Sequence, residues 1–305
     1  MKTQKKVLCI GECMVELSPA HAGLWRQNFA GDTMNTAWYL RQLFNQTWHV
    51  DYFTALGQDQ LSDDIYAFLQ RAGLGVNDIV RVADRQPGLY AIHLQDGERS
   101  FSYWRENSAA RMLAADPDIL SRAMTSPDVI YFSGITLAVL PPKDRETFFQ
   151  LIGNAKERGK QIIFDPNIRP KLWQTQDEMT QAVEKAAALS NLALPSFSDE
   201  QDAFGDLSPS DTALRYLDLG CDEVVVKNAD AQIIHRALNT DETRFEPKKI
   251  KPIDTTGAGD SFNAGFIYAK YSGQSLAEAI ALAQNVAASV IQTQGAIAEL
   301  PKSII

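Results

Sequence analysis

An α/β fold, one mostly parallel sheet covered by helices on both faces, is the architecture this chain predicts. Three observations carry that prediction. Short apolar runs of strand length alternate with helix-period segments through most of the 305 residues. The runs are apolar at successive positions, as in strands buried on both faces. Several helical segments stop at a glycine (Gly73, Gly159 and Gly220), a residue that readily takes the left-handed cap.

The elements follow in order. Residues 7–10 form a first buried strand: the lysine-containing start imitates a signal peptide, but Gly11 and Glu12 end the apolar run too soon for one. Residues 33–44 read as a helix with Asp32 as its N-cap. Further buried strands are expected at 52–55, 129–132, 161–164, 192–195 and 223–226. Helices are expected at 61–72, 143–158, 177–190 and 211–219, then from about 259 to 270 and 275 to 293. Two stretches, 11–31 and 87–106, break this rhythm with polar-alternating patterns such as Arg99-Ser100-Phe101-Ser102-Tyr103-Trp104-Arg105. They read as antiparallel strands standing outside the main sheet, in a single domain spanning 1–305.

Composition narrows the function. A net charge of −9 with no basic stripe argues against a nucleic-acid partner. No run approaches the roughly 18 apolar residues of a membrane span. Three cysteines (Cys9, Cys13 and Cys221) and four scattered histidines form no metal pattern and no triad, and the odd cysteine count fits a reducing cytoplasm.

The most informative stretch is Ile253-Asp254-Thr255-Thr256-Gly257-Ala258-Gly259-Asp260-Ser261-Phe262. It sets a glycine-rich turn at the mouth of a helix, so the N–H groups of Gly257, Ala258 and Gly259 can converge on an anion. Asp260 stands beside that cradle as a base, and the helix N-terminus is expected to lower its pKa. An anion cradle with an adjacent base is minimal machinery for phosphoryl transfer to an alcohol. Neither a P-loop nor the protein-kinase motifs are present.

The run DTTGAGDSF closely resembles the C-terminal signature of the ribokinase-like (PfkB) carbohydrate kinases, which makes Asp260 the expected catalytic base. Phe29-Ala30-Gly31-Asp32-Thr33-Met34-Asn35-Thr36-Ala37 resembles the family's sugar-binding G-G-D-x-x-N-x-A, with Ala30 replacing the first glycine. Gly31 lets the backbone approach a ligand, while Asp32 and Asn35 offer groups to sugar hydroxyls. Tyr103 and Arg105, two apart on a strand, share a face, and Tyr90 belongs to the partner strand. That trio can meet a carboxylate and its neighbouring oxygens.

The segments 11–17, 87–90, 97–105, 131–135 (including Ile135) and 165–173 resemble the branch of that family acting on a sugar acid, 2-keto-3-deoxygluconate. Similarity spans essentially the whole chain. It implies a ribokinase-like α/β/α core, a small β lid over the sugar that joins two copies, and ATP with Mg2+ as cosubstrate. Arg169 is expected at the substrate or transferred phosphate, and Asn167 at the nucleotide phosphates or magnesium. Lys227, Asn228 and, at the adenine end, Asn285 are the implied nucleotide contacts. In 227–231 the family's glycines are missing, with Asn228 able to take left-handed geometry in their place. Asp199 is the implied carboxylate that orders magnesium through water. The two arginines are expected to supply local positive charge in an acidic protein. Fructokinase or another neutral-sugar kinase, a kinase for 2-keto-3-deoxygalactonate, and a non-catalytic sugar-binding regulator are the alternative readings.

Overall fold

The structure, a computed structural model, describes residues 4–304 apart from 22, 45–47 and 96–97. Gly97, which opens one of the segments of resemblance, lies outside the described residues, as do parts of both outlying-strand stretches.

In chain order the strands and helices begin with β1 (Lys5–Ile10), β2 (Met14–Pro19), β3 (Trp25–Ala30), α1 (Asp32–Phe44), β4 (Trp48–Phe53) and β5 (Ala55–Leu56). Then come α2 (Gln60–Arg71), β6 (Val80–Arg81), β7 (Leu89–Gln95), β8 (Glu98–Trp104) and α3 (Pro117–Ala123). The middle of the chain adds β9 (Val129–Ser133), α4 (Gly134–Val139), α5 (Pro142–Glu157), β10 (Gln161–Asp165) and α6 (Gln176–Leu189). It closes with β11 (Leu192–Ala193), α7 (Phe197–Phe204), α8 (Pro209–Asp218), β12 (Glu223–Val226), β13 (Ile233–Ala237), β14 (Thr243–Phe245), α9 (Ala258–Tyr271) and α10 (Leu276–Val290).

Eight strands make the main sheet, in the order β14-β13-β12-β11-β10-β9-β1-β4. From β4 through β12 every pairing is parallel, and β13 and β14 add an antiparallel edge. Alternation along the buried strands divides the core between two faces. In β1, Val7 and Cys9 pack with residues of α1, α9 and α10, while Leu8 and Ile10 pack with α3, α5 and α6. The result is a three-layer α/β/α sandwich, the expected fold class.

Three boundaries differ from the sequence reading. The 52–55 run divides at Thr54, with β4 in the main sheet and β5 pairing β6 outside it. The 192–195 run pairs only over two residues. The edge strands β13 and β14 went unread because His235, Arg236, Thr243 and Arg244 interrupt any apolar run.

A second, four-stranded sheet has the order β3-β2-β7-β8. It unites the stretches 11–31 and 87–106, but the central pair β2–β7 is parallel, not antiparallel as expected. Each segment leaves the body in the same direction and returns as a hairpin partner, β3 and β8 respectively. Two hairpins joined by their outgoing strands must meet in parallel.

Candidate active site

The carboxyl ends of the parallel strands hold the site, as open α/β sheets lead one to expect. Two clefts adjoin there. The first, of about 480 Å³, is lined by Glu12, Gly31, Asp32, Asn35, Tyr90 and Tyr103 among others on one side and by the 255–260 loop on the other. Arg105, Asp165, Asn167, Arg169, Asp199 and Lys227 complete its polar wall, and Ile135 adds an apolar contact surface. The second, of about 320 Å³, has a more apolar lining that includes Ile233, Pro247, Phe262, Ala287, Ala288 and Ile291. Ser196, Ser198, Lys227, Ala258 and Gly259 line both, so the start of α9 is their common wall.

Why the chain turns there is visible residue by residue. Gly257 caps α9 with φ +76°, and a Cβ on it would lie 2.9 Å from the Ala296 carbonyl oxygen. Only glycine meets both demands without strain. Asp254, buried, accepts from the Thr256 N–H (2.9 Å) and hydroxyl (2.7 Å) with one oxygen, and from the Gly295 N–H (2.7 Å) with the other. That carboxylate fastens the loop to the 295 turn. The Ala258 N–H donates to the Thr255 carbonyl at 3.2 Å. One of the three expected donors, the Ala258 N–H, is therefore held by the turn, while Gly257, Ala258 and Gly259 all line the first cleft.

Asp260 and the sugar-segment residues meet directly. Asn35 Nδ2 donates to Asp260 Oδ2 at 2.8 Å, and Thr36 Oγ1 donates to the Asp260 carbonyl at 3.2 Å. Asn35 is itself locked by its N–H to Gly31 O (2.7 Å). Gly31 has no room for a side chain, because a Cβ there would lie 2.1 Å from the Glu12 carbonyl oxygen. Asp32 accepts from the Thr33 N–H (2.8 Å) and from Asn167 Nδ2 (2.8 Å).

Electrostatics here departs from expectation. Burial, reinforced by Asp32 and Asp165, pushes Asp260 up to about 8, against the Asn35 hydrogen bond and the Lys227 charge. The lowered value expected from the helix N-terminus is overturned: desolvation with two neighbouring carboxylates outweighs a half-charge dipole. Burial likewise raises Asp32, opposed by donors from Ser133, Asn167 and Thr33. Asp199 is also raised by burial, with Arg169 pulling it down.

Neither arginine carries free positive charge. Arg105 pairs with the buried Glu12, and Arg169 Nη1 lies 3.2 Å from Asp199 Oδ2. Five carboxylates line the first cleft (Glu12, Asp32, Asp165, Asp199 and Asp260) against three cations. A guanidinium taken partly out of water recruits a carboxylate, which is why the expected local excess of positive charge is absent. Tyr90 donates to the buried Glu16, and burial raises its phenol. Tyr103 stands opposite Tyr90 across the strand pair, ring centroids 5.8 Å apart, and remains 55% exposed.

The implied nucleotide contacts divide. Lys227 sits at the junction, its Nζ 3.0 Å from Asn263 Oδ1 and 3.4 Å from Asp165 Oδ1. Asn263 Nδ2 in turn donates to Asp165 (2.7 Å) and to the Tyr131 hydroxyl (3.1 Å). Asn228 lines the second cleft, but the left-handed residue of its turn is Ala229 (φ +43°). Asn167 lines the first cleft, where its Nδ2 donates to Asp32. Asn285 is half-buried beside the second cleft but does not line it, and it accepts from Lys248 Nζ, a residue of that lining, at 2.8 Å. The helical stripe of α10 that faces the cleft is Gln284, Ala287, Ala288 and, just beyond its end, Ile291, and position 285 falls off it.

Sequence reasoning missed Glu12, Tyr131, Asp254 and Asn263 as site residues. Tyr131 and Asn263 sit inside apolar runs and read as core; Asp254 carried a signal, its place in the signature loop, that went unused. Among the described residues no three His, Cys, Asp or Glu side chains gather as a metal cage. Mg2+ keeps water and substrate phosphates as ligands and asks one or two carboxylates of the protein. Asp199, at the rim of the cleft, and Asp165 are the carboxylates in place.

Comparison with known proteins bears on the whole chain. The description "pfkB family carbohydrate kinase" matches residues 4–303. The chain is 38% identical to the 2-dehydro-3-deoxygluconokinase of Haemophilus influenzae over 300 residues, 96% of this chain and 95% of that one. It is 38% identical to the enzyme of the same name from Dickeya dadantii, covering 98% of each. The solved structure of a PfkB protein from Polaromonas sp. JS666 superposes with a TM-score of 0.82 at 26% identity, over 95% of this chain and 96% of that one.

Proposed function

The chain belongs to the pfkB family of carbohydrate kinases, and from that premise we propose that it transfers the γ-phosphoryl group of ATP to the C6 hydroxyl of 2-keto-3-deoxygluconate (2-dehydro-3-deoxygluconate). The observation that carries the reading is the meeting of the two clefts at Lys227 and the start of α9 (Ala258 and Gly259), with Asp260 on the wall of the first. Near-full-length relatives that bear the name of this activity support the substrate.

The sugar acid lies in the first cleft, its carboxylate toward Arg105 and Tyr103 and its terminal hydroxyl toward Asp260. Adenine takes the apolar second cleft, and the phosphates run past Lys227 to the N–H groups of Gly257 and Gly259. As the C6 oxygen bonds to the γ-phosphorus, the bond to the ADP oxygen breaks and the hydroxyl proton passes to Asp260. Asn35 aims that carboxylate through its 2.8 Å hydrogen bond. A base with a pKa near the working pH is matched to this task. Asn35, Gly31 and Asp32 position the acceptor, and fixed alignment replaces the entropy of encounter. Magnesium bound with ATP would supply neutralising charge for the phosphate oxygens, and Asp199 is the residue that would help to hold it.

The small sheet covers the sugar in this reading, and a second copy covers the small sheet. Phe101 and Tyr103 face the first cleft yet stay 43% and 55% exposed, and Trp25, Leu24 and Trp104 are exposed on the same sheet or its turns.

Asp260→Asn tests the catalytic role: turnover drops by about 10²–10⁴-fold while ATP and sugar acid still bind. Near-normal turnover sinks it. ADP release measured across 2-keto-3-deoxygluconate, 2-keto-3-deoxygalactonate and fructose tests the substrate, and a preference for fructose overturns the sugar-acid reading.

A further inference from the structure

Glu12 is a charged group with an unmet need. Its carboxylate is 2% exposed, and Oε2 is taken by Arg105. Oε1 is buried with no hydrogen-bond partner, and so is Arg105 Nε. An unpaired buried acceptor of this kind is costly, more so when charged, unless something completes it. Both residues line the first cleft.

A Cβ at Gly31 would lie 2.1 Å from the Glu12 carbonyl oxygen, and a Cβ at Gly88 2.6 Å from Oε1 itself. Gly88 therefore clears the space in which the Glu12 carboxylate sits, and Gly31 the space for its backbone carbonyl. Its only remaining capacity is to accept, since an ionised carboxylate donates nothing. The complementary group is a hydroxyl of the substrate, held next to whatever Arg105 binds.

We infer that Glu12 is a substrate-binding, specificity-determining residue whose Oε1 accepts a hydrogen bond from the C4 hydroxyl of the sugar acid while Oε2 holds Arg105 for the C1 carboxylate. This rests on the proposed sugar-acid kinase reading. With C6 at Asp260 and C1 at Arg105, C4 carries the hydroxyl nearest the acid end. The gluconate and galactonate forms of the substrate differ in configuration at that carbon, so Glu12 is placed to tell them apart. The same negative charge disfavours a second anionic group at this position.

The experiment compares wild type, Glu12→Gln and Glu12→Asp on 2-keto-3-deoxygluconate, its C4 epimer and its 4-deoxy analogue. Wild type loses roughly 10- to 100-fold in kcat/KM on the 4-deoxy analogue, the range for a hydrogen bond to a charged group. Glu12→Gln raises KM for the normal substrate by a similar factor, with kcat and the KM for ATP within about threefold of wild type, and gains no further loss on the analogue. Glu12→Asp, which keeps the charge but withdraws it by one methylene, narrows the preference for the hydroxylated substrate and for its epimer. Losses that multiply, or a Glu12→Gln enzyme with unchanged KM and epimer preference, overturn the inference. If Glu12→Gln does not fold, equal kcat/KM of wild type on the normal and 4-deoxy substrates overturns it alone. Failure of wild type to phosphorylate 2-keto-3-deoxygluconate at all instead sinks the underlying activity.

Discussion

Asp260, pushed up to about 8, holds a proton in the resting cleft at neutral pH. The sign of the consequence follows. Catalysis needs the carboxylate, so kcat/KM for the sugar acid rises about tenfold per pH unit below 8 and levels above it. A flat profile between pH 6 and 9 contradicts the raised value. Stability runs the other way. The unfolded chain sheds this proton near the ordinary carboxylate range, so the folded state is favoured at low pH and loses that advantage as pH climbs to about 8. Melting temperatures of Asp260→Asn and wild type should therefore separate in favour of the variant as pH rises. At this scale the sequence was legible where chemistry sits in a motif, as at Asp260, Asn35 and Gly31. It was opaque where a polar group hides in an apolar run: Asn263 and Tyr131 knit Lys227 and Asp165 together, yet nothing local distinguishes them from core. The reversal of Asp260's pKa has the same root, since Asp32 and Asp165 become its neighbours only on folding.

At the scale of elements, the N-terminus of α9 depends on one backbone conformation. Gly257→Ala introduces a left-handed alanine whose Cβ presses on the Ala296 carbonyl. It should cost about 1–3 kcal/mol of stability, measured by denaturant unfolding. Displacing the donors beside it should slow turnover on the order of a hundredfold. Turnover at the wild-type rate shows that those N–H groups do not carry the transition state. Helix periodicity placed α1, α2, α5, α6, α9 and α10 to within a few residues, because each presents an apolar stripe to the sheet. The small sheet was read as strands but not in its pairing. Polar alternation says that a strand is half-buried; it says nothing about the direction of its neighbour. Asn285 illustrates the converse: a residue on the right helix, turned away from the cleft by about one position.

For the whole molecule, a net charge of −9 serves an enzyme whose two substrates are both anions. The acidic balance extends into the sugar cleft, so recognition rests on directed hydrogen bonds and paired guanidinium groups rather than on attraction at a distance. The parallel sheet places every strand's carboxyl end on one side, and from that the site's location was legible before any coordinate. Its division into two clefts was not, because the division comes from β13, Pro247 and α10 closing around an apolar space. The apolar rings left uncovered on the small sheet argue for self-association. Sedimentation equilibrium should show a dimer, and Trp104→Glu with Phe101→Glu should shift it to a monomer. A wild-type monomer at micromolar concentration removes that proposal.

Those uncovered rings also make the molecule its own optical instrument. Of five indoles, Trp38, Trp48 and Trp173 are buried or half-buried, while Trp25 and Trp104 stand 48% and 60% exposed on the small sheet. Solvent-quenched emission therefore arises chiefly from the small sheet, the part of the protein proposed to cover the sugar and to meet a second copy. Occupancy and assembly can each be followed by a shift to the blue, with no dye attached and no residue replaced.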